Sequence, residues 1–160
     1  MKVAIFSDTH DNTENVEKLI KKLNKEEIEY AFHCGDIVSP FTLKMFKDLK
    51  CKLFVVFGNN DGDKFNLLKS KPENVEIFNL FGAVELEKKK IAFTHYDFFA
   101  IALAFTKKYD YVFFGHTHKK AKMKIGKTVL INPGEILGYF GEPSYAILDL
   151  KTGKVEFKLL

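Results

Sequence analysis

Five short polar clusters in this 160-residue chain carry residues able to do metal chemistry: Asp8-Thr9-His10, Gly35-Asp36, Gly58-Asn59-Asn60-Asp61, Thr94-His95 and Gly115-His116-Thr117-His118. They hold four of the five histidines in the chain. Carboxylate, imidazole and amide donors together suit divalent transition metals. The seven candidates, Asp8, His10, Asp36, Asn59, His95, His116 and His118, are too many for one tetrahedral ion. They suffice for two ions that share a carboxylate. Two ions about 3.5–4 Å apart clamp the attacking and leaving oxygens of a phosphoryl displacement, and they bring water within reach of deprotonation near neutral pH. The chemistry indicated is hydrolysis of a phosphate ester.

These clusters become one site only if separate elements deliver them to one place. Each follows an apolar run of strand length: residues 3–6, 30–34, 52–57, 90–94 and 111–114. Between the early runs lie amphipathic segments that read as helices over residues 13–25, 40–49 and 63–69. The second of these has Ser39 placed to cap it and Pro40 at its first position. Alternating strand and helix implies an α/β fold with a mainly parallel first sheet, in which ligand groups gather beyond the carboxyl ends of the strands. The second half reads as strands over residues 83–87, 121–125, 128–131, 144–150 and 154–159. A helix at 97–108 is apolar nearly all round, so a buried helix is the first expectation and an exposed phenylalanine patch for substrate or a partner protein is the other. A β-rich half beside a βαβ half implies two facing sheets with helices outside, in a single domain spanning residues 1–160.

Asp8-x-His10, Gly35-Asp36, Gly58-Asn59-x-Asp61, His95, Gly115-His116-x-His118 and Asn132-Pro133-Gly134, in that order, resemble the motif series of the calcineurin-like metallophosphoesterases, specifically their small single-domain phosphodiesterase branch. The resemblance implies a four-layer α-β-β-α sandwich. It also implies a first metal held by Asp8, His10 and His118, a second held by Asn59, His95 and His116, and Asp36 bridging the two. A metal-bound hydroxide would be the nucleophile and a small phosphodiester the substrate. Manganese and nickel are the foremost metals implied, with iron and zinc also in the set. Asn59 and Asn132 are the candidates for contact with the phosphate, although Asn132 before Pro133 also reads as a plain turn.

Two positions depart from the family pattern. Many members carry a histidine, thought to protonate the leaving group, where this chain has Asn60. An amide cannot serve as a general acid at neutral pH, so the expected substrates are diesters with stabilised leaving groups. Tyr96 and Asp97 follow His95 where relatives have glycine and often histidine, making the rim bulkier and more acidic. His33 reads as a core histidine or one supporting a ligand, and Asp61 as a loop or capping residue.

Composition narrows the partners. The net charge is +4, and every basic residue is lysine. Without arginine, the usual bidentate reader of guanine and phosphate, sequence-specific nucleic-acid recognition is disfavoured. Lys119, Lys120, Lys122, Lys124 and Lys127 leave a nuclease groove as one reading and a lysine-guarded edge strand as another. An inactive protein-interaction scaffold is the alternative of a different class, and it would tolerate loss of ligands that this chain retains. Two cysteines at unrelated spacing fit a reducing cytoplasm. The longest strongly apolar run, residues 98–105, is far short of the roughly 20 needed to span a bilayer. The scarcity of glutamine and tryptophan beside abundant Lys, Glu, Ile and Phe is similar to thermophile proteins. Oligomeric state is left open, a homo-oligomer included.

Overall fold

The computed structural model describes residues 1–160. β1 (Lys2–Phe6), β2 (Tyr30–His33), β3 (Lys52–Val56) and β4 (Val75–Phe78) run parallel in one sheet, extended beyond β1 by the antiparallel pair β10 (Ser144–Asp149) and β11 (Val155–Leu159). The other sheet has the order β5-β6-β7-β9-β8, formed by β5 (Phe81–Leu86), β6 (Lys89–Thr94), β7 (Tyr111–Phe113), β8 (Lys120–Ile125) and β9 (Thr128–Pro133). Both sheets are mixed. The last two strands therefore return to the first sheet, and the β-rich half of the chain is divided between the two layers.

The period of two along β1 makes the layers legible. Val3 and Ile5 point into the space between the sheets, with Phe32, Phe54, Phe93, Phe113 and Ile131. Ala4 and Phe6 point outward to meet Val16, Leu19 and Leu23 of α1 (Thr13–Leu23) and Leu43 of α2 (Pro40–Met45). On the far side, Ala92, Val112 and Leu130 pack against Ala100 and Ala104 of α4 (Asp97–Phe105). The architecture is the α-β-β-α sandwich.

Local chemistry sets the helix ends. Asn12 caps α1 by accepting from the Asn15 N–H at 3.1 Å, and Ser39 caps α2 ahead of Pro40. The continuous helix expected over residues 40–49 instead ends at Met45 and passes into a 3₁₀ turn, Phe46–Asp48. The Asn74 amide donates to the Phe46 and Leu49 carbonyls at 2.9 Å each, which takes up acceptors that a longer helix would use. α3 (Lys64–Ser70) forms as expected, whereas β4 is unforeseen because it is short and follows Pro72 closely.

α4 departs from the first expectation, a buried helix, and follows the other, exposed phenylalanines. It turns its alanines inward and leaves Phe98 and Phe105 60% and 66% exposed. Small residues let it sit close to the sheet, and the bulk of its apolar surface faces outward. No helix is long and apolar enough to cross a membrane.

Candidate metal centre

The loops after β1, β2, β3, β6 and β7 meet at one rim. Their backbones are unusually constrained: Asp8, His10, Asp36, His116 and His118 all have φ between 41° and 66°, the left-handed region that L-residues seldom occupy. Strain of this kind costs about 1–3 kcal/mol per residue and persists where surrounding contacts overdetermine it. Those contacts are explicit. The Asp8 and His10 N–H groups donate to the Gly35 and Asp36 carbonyls at 3.0 Å each, and the Leu137 N–H donates to the Asp8 carbonyl at 2.9 Å. Two glycines allow the loops to close. A Cβ on Gly58 would lie 2.1 Å from Asp36 Oδ1, and one on Gly115 would lie 2.7 Å from Asp8 Oδ2.

Within this frame two sets of donor atoms converge, Asp8–His10–His118 and Asp8–Asp36–His95. His118 Nε2 lies 3.4 Å from Asp8 Oδ1, and His10 Nε2 lies 3.7 Å from the same oxygen. Asp36 Oδ2 lies 3.4 Å from both His10 Nε2 and His95 Nε2, so it faces both sets. Asp8, expected to serve one ion, belongs to both groups. Asn59 sets its amide oxygen 2.9 Å from His95 Nε2. The exposed His116 ring reaches the same rim, edge-on to His95 at 5.0 Å, but falls outside the two closest groups.

Two of the three histidines that face these carboxylates, His95 and His118, have the other nitrogen engaged, which fixes the nitrogen left for a ligand. His95 Nδ1 is 2.8 Å from the Cys34 carbonyl, and His118 Nδ1 is 2.7 Å from Glu135 Oε2. Their Nε2 atoms turn toward the aspartates. Asp8 Oδ1 and His10 Nε2 are buried without any hydrogen-bond partner. Orphaned polar atoms at such a depth are costly. A divalent cation among these donors would satisfy both, so the residues present fit the metal that the family implies.

The electrostatics agree. Burial raises the Asp36 carboxyl, but the neighbouring His95 and two hydrogen bonds from Asn60 outweigh it and hold the group well below the usual carboxylate range. His10 is raised by Asp8 and Asp36 against partial burial. His95 is pulled down by burial but raised overall by Asp36. The rim thus holds concentrated negative charge that draws either protons or metal ions.

Three supporting residues escape a reading focused on ligands. Glu135, 1% exposed, orients His118; its only sequence signal is an acid beside the Asn-Pro-Gly turn and before Ile136-Leu137. Asp61 does what a loop residue can do at its most useful, accepting the N–H groups of Asp36, Val38 and Gly58 at 3.0, 2.7 and 2.7 Å. Thr9 links the His33 ring at 3.1 Å to the Asp36 carbonyl, giving His33 its supporting role. Asn132, expected to be open to phosphate, is fully buried. Its amide donates to the Gly115 carbonyl and Thr117 Oγ1, and its oxygen accepts the Gly134 N–H, which ties the His116–His118 loop to β9. The lysines of β8 lie on an edge strand with Lys120, Lys122 and Lys124 exposed, the arrangement of a guarded edge.

Comparison with known proteins gives the family and the fold. Residues 1–153 match the calcineurin-like phosphoesterase superfamily domain. The chain is 39% identical over 163 residues to a phosphodiesterase of Methanocaldococcus jannaschii, covering 99% of this chain and 97% of that protein. The solved structure of an archaeal phosphodiesterase superposes with a TM-score of 0.92 at 36% identity, covering 100% of both chains. Vps29 of Entamoeba histolytica in complex with zinc shares the fold at a TM-score of 0.69 and 18% identity, covering 100% of this chain and 98% of that one. A family match over residues 1–153, together with a relative 39% identical along nearly its whole length, makes this protein a member of the calcineurin-like phosphoesterase superfamily.

Proposed function

We propose that the protein is a metal-dependent phosphodiesterase that works through two divalent ions held by Asp8, His10, Asp36, Asn59, His95, His116 and His118, with Asp36 shared between them. The observation that carries this reading is the pair of donor sets around Asp8 and Asp36, with Asp8 Oδ1 and His10 Nε2 buried and unpartnered. Two such ions supply the positive charge that the phosphate requires, which no arginine here provides, and hydroxide near neutral pH.

The protein's own residues set the geometry. Glu135 and the Cys34 carbonyl hold His118 and His95 with Nε2 facing inward. Asp61 locks the loops of Asp36 and Gly58 together through three backbone amides. Asn60 donates to both oxygens of Asp36 at 2.8 and 2.7 Å, so the residue at the acid position serves to orient a carboxylate. It has no proton to give to a departing alkoxide. The leaving group must therefore be stable as an anion, which favours activated diesters. Free thiols at Cys34 and Cys51 fit action in the cytoplasm on a small soluble ester.

Purified protein supplied with manganese or nickel should hydrolyse bis(p-nitrophenyl) phosphate, lose that activity on chelation, and bind two ions per chain by elemental analysis. No turnover with any of the four metals would pass the function to the interaction-scaffold reading. One ion per chain in active protein would end the two-metal assignment.

A further inference from the structure

The segment after Gly134 presents two aromatic rings that the protein itself does not use. Phe140 is 73% exposed and Tyr139 is 77% exposed. Their contacts are with each other, at 4.9 Å between centroids, and with one ligand candidate, the Phe140 ring standing edge-on to His118 at 5.0 Å. Phe140 also borders a cavity of about 400 Å³ lined by His116, Thr117, His118 and Lys119. A floppy loop could display aromatics by accident. This loop is anchored on both sides.

The Phe140 and Gly141 N–H groups donate to Glu135 Oε1 at 2.7 and 2.9 Å, and the other oxygen of the same carboxylate holds His118. The Asn12 and Asn15 amides grip the Leu137 and Ile136 carbonyls at 2.8 Å each. One buried acid thus fixes a metal-facing histidine and an outward-facing ring in a set relation. Fixed, exposed aromatic surface beside a polar cavity marks a ligand-contact surface. The cavity asks for an occupant with two parts, an anion toward His118 and Lys119 and a flat apolar group toward Phe140.

We propose that Phe140, backed by Tyr139, is the platform on which a planar ring of the ester's organic group stacks, so that the protein selects phosphoesters bearing an aromatic or heteroaromatic substituent over alkyl ones. The inference rests on the phosphodiesterase reading and adds a substrate class to it. A phenyl ring has no hydrogen-bonding edge, so the platform selects for flatness and accepts rings of differing polar decoration.

The test uses manganese-loaded protein for turnover and zinc-loaded protein for fluorescence, with two inert ligands, phenylphosphonate and methylphosphonate, as competitive inhibitors of ester turnover. Wild-type protein should bind phenylphosphonate about tenfold more tightly, in line with the usual worth of one stacked ring. Phe140→Leu should bring the two inhibition constants together, and Phe140→Trp should restore the preference. The introduced tryptophan would be the only one in the chain, so its fluorescence reports stacking without turnover. It should respond to phenylphosphonate and not to methylphosphonate. An unchanged ratio in Phe140→Leu, an equal loss of both ligands, or no preference in the wild type overturns the platform. A wild-type protein that turns over no ester with manganese, nickel, iron or zinc, with a tryptophan variant that senses neither phosphonate, overturns the phosphodiesterase reading beneath it.

Discussion

Two charged clefts in this molecule make an instructive pair. One, of about 310 Å³, lies over the β10–β11 side of the first sheet and is lined by Lys2, Glu26, Asp149, Lys154, Glu156 and Lys158. The other is the rim of Asp8, Asp36 and the histidines. The first has as many charges, yet they are matched in sign, and Lys158–Glu26 and Lys154–Glu156 pair directly. In the second, aspartates at 0% and 1% exposure face histidine nitrogens at 3.4–3.7 Å without closing into hydrogen bonds, on backbone forced to positive φ. Density of charge does not distinguish a site. Burial, missing partners and strain do, because each is a cost that folding alone would have removed.

The sharpest way to break the contrast is to neutralise one acid in each cleft. Asp36→Asn should lower kcat/KM on an activated diester on the order of 10³-fold while the protein stays folded. Glu156→Gln should leave it within about twofold, since exposed pairs contribute little. Comparable effects from both variants would erase the distinction. A step further from the aspartates, Glu135→Gln keeps the shape but weakens the hold on His118. Metal affinity, measured by competition with a chelator, should fall about 10–100-fold, as it does when such supporting acids are lost. An unchanged affinity would mean that the 2.7 Å contact does not orient His118.

Acid stability of the metal-free protein gives the smallest effect. His33 is held down to about pKa 3 by complete burial, against an ordinary value of 6.5. Its unfolded form takes up a proton near pH 6.5 and the folded form does not, so stability falls as pH drops below that value. The loss from this residue should be about 2 kcal/mol between pH 6.5 and 5 in urea unfolding. His10 and His95 titrate above their ordinary value, so their contributions are already complete below pH 6.5 and add no slope in this window. A flat profile from pH 6.5 to 5 would remove His33 from the buried neutral set.

The ligand candidates were the legible part of the site, because polar residues at the ends of apolar runs stand out against the strand period. Sheet membership was less so. Residues 144–150 read as a strand from their apolar alternation, but only the register Lys2↔Asp149 through Ile5↔Ala146 assigns that strand to the first sheet, and such pairing leaves no local mark. Glu135 and Asn132 were obscure for a related reason. Their function lies in bonds to residues 17, 15 and 2 positions away along the chain, and in burial that a turn sequence gives no reason to expect. The face of α4 stayed open between burial and exposure because uniform hydrophobicity says how apolar a helix is and not which side has room for a sheet.

The return of β10 to the side of β1 also sets the order in which the protein can be made. β1, carrying Asp8, is made long before its antiparallel partner, residues 144–149, and before Leu137, which supplies an amide to the Asp8 carbonyl. Glu135 and the Asn132 brace also come late in the chain. Until translation has passed β10, Asp8 and His10 hang from an open sheet edge, and the distant pairing that closes it is a slow class of contact. The rim is therefore complete only once β10 has paired with β1, and any metal ion it takes would find all its donors in place only then.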